Sequence, residues 1–460
     1  MSAPDRSWTI APTLAWFGLA VCIGIRFIDG HVDAFADRLT AKRTPAATTP
    51  AIGAPVVVAE ANDTEDASDA AVKLPSSGDH DIGALDDVCL DGKDDACKRW
   101  AMDGFYRAVG DAKAGKLGRA VRISWYGDSV VATDAIPGRL RTRMQTELGD
   151  GGPGFVYIVP PHRFCEHEAI TRSSGGSWLT HAISTTQVAD GLYGVGGSST
   201  ETDGGRATIK LVAGKATNVE LYYLAQPKGG TATISADGAE VIHAATLAEQ
   251  KQAAWSTAKL EAGAGQFKIS TEGRVRLFGI DLENDHGAVV DNLGIVSVNV
   301  KSFLANDAAH WSAELGHRSA DLVMIMIGAN EAQWLSPGDH DTKDYASRYE
   351  KILEPIRKGR PDAACLVVSP TDQAEAKDGE YPSRPVMPLL VEAQRTAAHA
   401  QGCAFYSTYR WMGGKGSAQK WFRKGLVGSD FQHLSRKGAN KMADAVFDAL
   451  LAGFHQYAGK

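Results

Sequence analysis

The chain has 460 residues, of which 44% are hydrophobic, with a formal net charge of −7 and a pI near 6.0. It is therefore long enough for two domains and a tail, and it has enough apolar residues to form real hydrophobic cores. The acidic balance argues against nucleic acid as the main partner, because phosphate binding requires a clustered positive surface.

The amino terminus contains a segment that predicts a membrane span. Residues 8–25 are uncharged and mostly apolar, with Arg6 before them and Arg26 after them. A helix of this length spans roughly 27 Å, close to the roughly 30 Å of a hydrocarbon core. A cleaved signal peptide and a lipid-modified Cys22 are the alternatives. We favour an uncleaved anchor within residues 1–29, because no small-x-small cleavage site follows promptly.

The next segment is predicted to be a linker. Residues 41–81 consist largely of Ala, Thr, Pro, Asp and Glu, and this composition cannot bury enough surface to fold. We assign the linker to residues 30–85. Cys89 and Cys97 follow in an acidic loop and are close enough to form a local disulfide if the domain is exported.

The remaining chain alternates between strand and helix patterns. Strands are predicted at residues 119–126, 288–292, 321–327, 364–368 and 404–406. Helices are predicted at residues 100–113, 136–148, 299–315, 345–358, 386–400 and 435–454. The alternation predicts an α/β fold with a five-stranded parallel sheet between helix layers, formed by residues 86–159 and 285–460. Cys365 and Cys403 lie in strand patterns and are predicted to pack in the core.

Residues 160–284 interrupt this alternation. Short alternating apolar runs, separated by glycine and polar turns, predict an inserted antiparallel β-sandwich. We expect this insert to fold as a unit and to present substrate without taking part in the chemistry. Five aromatic residues can either stack on sugar rings or fill the sandwich core: Trp178, Tyr193, Tyr222, Tyr223 and Trp255.

Three polar clusters lie at element boundaries in an order suited to nucleophilic catalysis. Residues 127–129 (Gly-Asp-Ser) follow the first strand, residues 328–331 (Gly-Ala-Asn-Glu) follow the third, and residues 430–433 (Asp-Phe-Gln-His) precede the last helix. A serine hydroxyl needs an imidazole to take its proton, and the imidazole needs a carboxylate to orient it. Because the carboxyl ends of parallel strands meet at one edge, the clusters are expected to form one site.

Each cluster also has a purely structural interpretation. Gly-Asp-Ser is a common turn, the segment 430–433 is suited to capping the last helix, and Asn330 can simply end a strand. The three clusters together, in this order, favour catalysis.

A possible metal-ligand cluster contains His162, Cys165 and His167. No complementary set of ligands occurs elsewhere in the sequence, so we predict no metal site.

The three motifs, in this order, resemble those of the SGNH hydrolases, also called the GDSL esterase family. The resemblance implies that Ser129 is the nucleophile, His433 the base and Asp430 its orienting partner. It also implies that Asn330 and the backbone N–H of Ser129 stabilise the oxyanion. Glu331 replaces the aspartate of the family's third motif. No metal or organic cofactor is implied.

The segment 291–297 resembles the family's second motif, which ends in a glycine whose N–H binds the oxyanion. The alignment places Ser297 at that glycine, and Gly294 is the alternative. A backbone N–H does not require glycine, so a serine is compatible with the donor role.

The insert points to a subgroup of the family. Bacterial peptidoglycan O-acetylesterases carry a β-rich, carbohydrate-module-like domain near the position of residues 160–284. The segment 147–155 and the pair Asn330-Glu331 also resemble that subgroup. The resemblance implies a serine esterase that removes acetyl groups from an extracytoplasmic polysaccharide, with peptidoglycan as the first candidate. With the anchor at residues 8–25, we expect a single-pass protein of the bacterial inner membrane with its catalytic domain in the periplasm.

Other functions remain open. The same triad acts on any accessible ester, so a lipolytic esterase or thioesterase is one alternative, and a glycan O-acetyltransferase is another. A non-catalytic glycan-binding protein belongs to a different class, and the intact catalytic motifs argue against it.

Overall fold

The structure is a computed structural model that describes residues 81–82, 85–93 and 96–459. Its strands are β1 Asp81–Ile82, β2 Leu85–Asp86, β3 Cys89–Asp91, β4 Arg99–Trp100, β5 Val121–Gly127, β6 Gly154–Val156, β7 Ile170–Gly175, β8 Leu179–Ala182, β9 Ser198–Thr202, β10 Arg206–Leu211, β11 Ala216–Ala225, β12 Thr231–Ala236, β13 Ala239–Ala245, β14 Gln252–Ala264, β15 Gln266–Glu272, β16 Val275–Glu283, β17 Ala288–Gly294, β18 Leu322–Met326, β19 Ala364–Val368 and β20 Ala404–Tyr406. Its helices are α1 Asp103–Lys113, α2 Ser129–Ala132, α3 Ala135–Leu148, α4 Val300–Phe303, α5 Ala308–Arg318, α6 His340–Lys343, α7 Tyr345–Gly359, α8 Met387–Ala400, α9 Thr408–Met412, α10 Ser417–Arg423 and α11 Arg436–Ala458.

The predicted anchor and nearly all of the predicted linker, residues 1–80, lie outside the described residues. Within the described part of the chain, none of the helices combines the length and the apolar character needed to cross a bilayer.

Five parallel strands form the centre of the largest sheet, in the order β17, β5, β18, β19, β20. The predicted five-stranded parallel sheet is therefore confirmed. Helices α1, α3 and α11 cover one face, and α5, α7 and α8 cover the other. Because β5 precedes both of its neighbours in the chain, strand addition reverses direction there, and ligands of open parallel sheets usually bind at the carboxyl ends of the strands on either side of such a point.

Two predicted boundaries are wrong. Strands β1 and β2 extend the sheet beyond β20 in antiparallel fashion, with Leu85 opposite Tyr406, so the predicted linker over residues 30–85 ends too late. The predicted helix over residues 299–315 is two helices, α4 and α5. The second begins separately because the carboxylate of Asp307 accepts a hydrogen bond from the N–H of His310.

Two disulfides connect parts of the catalytic domain. The predicted bond between Cys89 and Cys97 is confirmed. Cys365 and Cys403 are buried in the core, as predicted, and they also form a disulfide, which was not predicted. Cys365 lies on β19 and Cys403 directly precedes β20; because these strands are adjacent and parallel, the two Cα atoms are only 4.6 Å apart.

The residues between β5 and β17 in the chain build two antiparallel sheets. One has the order β13, β12, β15, β10, β7; the other has the order β14, β11, β16, β9, β8, with β6 also paired to β16. Both sheets contribute to one apolar core, as expected for a sandwich. Strand β6 lies before residue 160, so the sandwich begins within the range assigned to the catalytic domain. Tyr193, Tyr222 and Tyr223 are buried and are not available to stack on a sugar.

A buried ion cluster joins the sandwich to the parallel sheet. Arg318 of α5 lies 2.8 Å from Asp291 of β17, and it lies 3.0 Å from Asp281 and 2.7 Å from Glu283, both of β16. Arg122 of β5 lies 2.7 Å from Glu283. The cluster thus connects β16 to β5, β17 and α5, and the loss of one of its charges would leave another buried and uncompensated.

Candidate active site

Ser129 lies where β5 ends and α2 begins. A Cβ atom added to Gly127 would lie 2.2 Å from Cγ2 of Val131 and 2.9 Å from the carbonyl oxygen of Met326, so glycine permits the close approach of α2 and β18. Asp128 caps α2 by accepting a hydrogen bond of 3.0 Å from the N–H of Val130. Ser129 is thereby held half-buried at the carboxyl edge of the sheet.

The structure brings the three predicted triad residues together. Oγ of Ser129 lies 2.8 Å from Nε2 of His433, and Nδ1 of His433 lies 2.7 Å from Oδ2 of Asp430. When the Nδ1 proton is shared with the carboxylate of Asp430, Nε2 is the nitrogen that can accept the serine proton. The arrangement is therefore suited to nucleophilic attack by Ser129.

Hydrogen bonds within the turn orient Asp430 and His433. Oδ1 of Asp430 accepts hydrogen bonds of 3.0 Å from the N–H groups of Gln432 and His433. The N–H of Gly428 donates to the carbonyl oxygen of His433 at 2.7 Å. The carboxylate thus orients the imidazole and the backbone that carries it.

Aromatic packing supports the same turn. Phe431 adopts a φ of 55°, a left-handed conformation that is rare for a bulky residue. Its ring stacks on that of Tyr381, with centroids 4.7 Å apart, and contacts that of Phe422 at 4.8 Å. Phe431 is buried, so its packing compensates for the backbone conformation between the carboxylate and the imidazole.

The acidic groups around His433 favour its charged form. Burial opposes that form, but the hydrogen bond and charge of Asp430 and the charge of Asp128 outweigh burial, and the pKa of His433 is raised. Burial opposes ionisation of Asp430 as well, yet its hydrogen bond and charge interaction with His433 leave the pKa of Asp430 lowered. Burial raises the pKa of Asp128 to about 6.

Asn330 follows β18 and lies beside the segment that follows β17. Its Nδ2 donates a hydrogen bond of 2.8 Å to the carbonyl oxygen of Val298. This bond uses one of the two amide hydrogens, so the other can be offered to a substrate oxygen. The backbone of Ala329 opposes the rise in the pKa of the Asp128 carboxyl group, so the first and third motifs lie next to each other.

The two candidates for the second backbone donor differ in their surroundings. The N–H of Gly294 already donates to Oδ1 of Asn292 at 3.1 Å, and a Cβ added to Gly294 would lie 2.4 Å from the nitrogen of Ala132. Ser297 is exposed and has a φ of 65°, a conformation that favours glycine. Among the described residues, none accepts a hydrogen bond from the N–H of Ser297. The geometry therefore favours Ser297 over Gly294.

Two buried polar residues within the motifs have roles that the sequence did not reveal. Asn292 donates from Nδ2 to the carbonyl oxygens of Ala132 and Glu166, both at 3.1 Å, and so fixes the segment after α2. Oε1 of Glu331 accepts a hydrogen bond of 2.8 Å from the N–H of Val300, and burial raises the pKa of Glu331 to about 7. The sequence signal for these roles is a polar residue, Asn292 or Glu331, at or near the end of an apolar strand.

Residues 262–440 match the GDSL-like Lipase/Acylhydrolase family. The matched range includes Asn330, Asp430 and His433, whereas Ser129 precedes it because the sandwich separates the first motif from the others. No curated protein sequence is significantly similar to this chain.

The chain is similar to a solved structure described as "Peptidoglycan O-acetylesterase in action, 5 min", with 24% identity, 77% of this chain and 96% of that chain covered, and a TM-score of 0.66. A catalytic mutant of an acetylxylan esterase from Geobacillus stearothermophilus is 19% identical over 35% of this chain and 73% of that chain, with a TM-score of 0.27. An acetyl xylan esterase named AlAXEase is 15% identical over 35% of this chain and 80% of that chain, with a TM-score of 0.28. The first likeness shows a shared fold; the other two TM-scores are too low to support an inference. The family match and the shared fold both agree with the resemblance to the SGNH, or GDSL-like, serine hydrolases that the catalytic motifs indicate.

Proposed function

We propose that this protein is a serine acetylesterase that removes acetyl groups from an extracytoplasmic glycan, with peptidoglycan as the first candidate. The observation that carries the proposal is the continuous hydrogen-bonded chain from Ser129 through His433 to Asp430. It supplies a nucleophile, a base and an orienting carboxylate at one edge of the sheet.

In the first half-reaction, Oγ of Ser129 attacks the acetyl carbonyl carbon while Nε2 of His433 takes the hydroxyl proton. The carbonyl oxygen becomes an oxyanion, which the N–H groups of Ser129 and Ser297 and the amide of Asn330 stabilise. Collapse of this intermediate breaks the bond to the glycan oxygen. That oxygen leaves with the proton from Nε2, and the acetyl group remains on Ser129.

In the second half-reaction, His433 takes a proton from water as the water oxygen attacks the acetyl carbonyl. The new tetrahedral intermediate expels Oγ of Ser129, which recovers its proton from His433, and acetate leaves. Asp430 stays ionised throughout and stabilises the imidazolium, in keeping with its lowered pKa.

The openness of the site supports a polymer carrying a small acyl group. The side chains of His433 and Asp430 are 30% and 38% exposed, and Ser297 is exposed as well. Nearby, Nε2 of Gln333 donates a hydrogen bond of 2.8 Å to Oε1 of Gln432 on the surface, joining the loops of the third and last motifs. A long acyl chain would favour a buried apolar channel instead. The fold shared with a protein described as a peptidoglycan O-acetylesterase also supports this choice.

The disulfides support a location outside the cytoplasm. Structural disulfides persist in oxidising compartments, and Cys89–Cys97 and Cys365–Cys403 are two such bonds. With the apolar residues 8–25, they support anchorage in the bacterial inner membrane with the catalytic domain in the periplasm. External protease should degrade the catalytic domain once the outer layer of the cell is opened. Recovery of the full chain from the cytosol would contradict this location.

The substrate is tested by measuring acetate released by the purified full chain from O-acetylated peptidoglycan, with the alkali-deacetylated polymer and the Ser129→Ala variant as controls. In parallel, the hydrolysis of two-carbon and ten-carbon acyl esters is compared. We expect acetate from the acetylated polymer and faster cleavage of the two-carbon ester. Faster cleavage of the ten-carbon ester without polymer deacetylation would favour a lipolytic enzyme, and acetyl transfer to a glycan acceptor would favour a transferase.

A further inference from the structure

The loop that follows β17 carries Ser297 and is anchored at its start to the nucleophile strand. The N–H of Ile295 donates to the carbonyl oxygen of Gly127 at 2.9 Å, and the N–H of Val298 donates to the carbonyl oxygen of Ile295 at 3.3 Å. These bonds define the path of the loop up to Ser297. The direction of the Ser297 N–H also depends on what holds the residues after it.

Two neighbouring side chains of the third motif hold those residues. Nδ2 of Asn330 donates to the carbonyl oxygen of Val298 at 2.8 Å, and Oε1 of Glu331 accepts from the N–H of Val300 at 2.8 Å. The two bonds lie on either side of Asn299. They therefore fix the two peptide groups that flank Asn299, which begin one residue after Ser297.

Helix α4 has a cap of its own besides the bond from Val300 to Glu331. The side chain of Asn299 already caps this helix by accepting from the N–H of Ser302 at 3.1 Å. Glu331 is only 4% exposed, and its Oε2 has no hydrogen-bond partner in the described part of the structure. Burying a carboxyl group in this way costs free energy. What distinguishes Glu331 from other buried carboxyl groups is its location, next to Asn330 and hydrogen-bonded to the loop that carries Ser297.

We infer that Glu331 is a positioning residue: through the N–H of Val300 it fixes the loop so that the N–H of Ser297 is aimed at the oxyanion. The inference rests on the proposed function, because it assumes that the reaction passes through an oxyanion formed at Ser129. Glu331 itself does not touch the substrate. Its loss is expected to weaken the stabilisation of the transition state while leaving ground-state binding nearly unchanged.

Two sets of variants remove the same hydrogen bond from opposite sides. Glu331→Leu removes the acceptor with little loss of volume, whereas Glu331→Gln keeps an acceptor oxygen. Val300→Pro removes the donor; Val300 is the first residue of α4, where proline is well tolerated, and Asn299 before it is extended. Val300→Ala controls for the altered side chain, because it keeps the N–H.

Glu314→Leu is the matched control for removing a buried carboxyl group. Glu314 is fully buried; its Oε2 accepts from the N–H of Val195 at 3.1 Å and its Oε1 has no partner in the described structure. It therefore shares the environment of Glu331 but belongs to α5, away from the triad. We expect its substitution to lower the unfolding temperature and to leave kcat of the folded protein unchanged.

The readouts are kcat and KM of the full chain for 4-nitrophenyl acetate, together with the unfolding temperature. We expect Glu331→Leu and Val300→Pro each to lower kcat roughly 10- to 100-fold, since small misplacements of catalytic groups have effects of this size. KM should change less than about threefold, and Glu331→Gln should recover most of kcat. The double variant Glu331→Leu/Val300→Pro should be little worse than either single variant, because both remove one bond.

The inference is overturned if Glu331→Gln is as slow as Glu331→Leu, if the double variant shows the full product of the two losses, or if kcat is unchanged in Glu331→Leu. If Val300→Pro does not fold, the comparison of kcat between Glu331→Gln and Glu331→Leu still tests the inference. Failure of the proposed function is recognised separately: Ser129→Ala would then retain turnover, whatever the Glu331 variants do.

Discussion

The parallel sheet and the β-sandwich use their polar residues in different places. In the sheet, Ser129, Asn330 and Ser297 lie just beyond the carboxyl ends of β5, β18 and β17. In the sandwich, Asp281 and Glu283 lie on β16 and are buried against the sheet. The proposed catalytic groups thus lie at strand ends, whereas these polar residues within a strand form the contact between the two regions.

This difference changes what is expected of the insert. The sequence suggested that residues 160–284 fold as a unit that presents substrate without taking part in chemistry. The structure makes the same residues part of the support of the site, because removing β16 would leave Arg122 without Glu283 and would leave Arg318 with Asp291 alone of its three buried carboxylate partners. Replacing the whole insert with a linker is therefore a poor test of substrate presentation, and point variants are preferable.

The largest expected effect is a loss of kcat, and it should occur when Ser129 but not Ser199 is replaced with alanine. Ser129→Ala should lower kcat roughly 10⁴-fold or more, because it removes the nucleophile. Ser199→Ala changes a buried hydroxyl of β9 that has no hydrogen-bond partner in the described structure, so kcat should not change. Initial rates on 4-nitrophenyl acetate and far-UV circular dichroism of both variants provide the test. Similar modest losses in both would contradict the assignment of Ser129.

The next prediction concerns the contact between the regions. Arg318→Met should lower the free energy of unfolding by about 3–5 kcal/mol, because it leaves buried carboxylates without their cation. Arg139 forms a surface ion pair with Asp444 in which both side chains are about a third exposed, so Arg139→Met should cost about 0–1 kcal/mol. Urea unfolding measures both values. Equal values would show that the buried cluster does not join the sandwich to the sheet.

A third prediction compares the oxyanion donors with the nucleophile. Asn330→Ala should lower kcat roughly 10²- to 10³-fold, the usual loss for one oxyanion donor, and KM should change little. The loss must be smaller than that of Ser129→Ala, because other donors remain. Steady-state kinetics of the two variants on the same ester decide this, and equal losses would count against the proposed roles.

The smallest expected effect is a shift in pH dependence. His433 must be neutral to accept the serine proton, so kcat/KM should fall as the pH drops through its raised pKa. Asp430→Asn removes a carboxylate that raises this pKa, so the acidic limb of kcat/KM should move to lower pH even as the rate falls. A pH profile of both proteins checks the direction. A limb that moves to higher pH in the variant would contradict the coupling of the two residues.

The sequence predicted those strands in which burial leaves a continuous run of apolar residues. Strands β19 and β20 have the predicted bounds because they are fully buried apolar runs. Strand β14, Gln252–Ala264, was missed because it is an edge strand with many exposed polar residues. The disulfide between Cys365 and Cys403 was missed because it depends on which strands are neighbours, a property of the sheet and not of either segment.

The candidate site also combines features that a local sequence pattern reveals with contacts between distant segments that it does not reveal. Ser129, Asp430 and His433 could be predicted because each belongs to a short motif at an element boundary. The choice between Gly294 and Ser297 needed the structure, since it depends on the hydrogen bond that Asn292 accepts and on the φ of Ser297. The bond from Val300 to Glu331 joins segments that follow different strands, and neither segment alone indicates it.

The most direct test of the central claim is to trap the acyl-enzyme. The full chain is mixed with 4-nitrophenyl acetate, quenched with acid during turnover, digested and examined by mass spectrometry, with Ser129→Ala treated in parallel. We expect one acetyl group on the peptide that contains Ser129 and none on the corresponding peptide of the variant. Acetylation at another residue, or turnover that persists undiminished in Ser129→Ala, would contradict it.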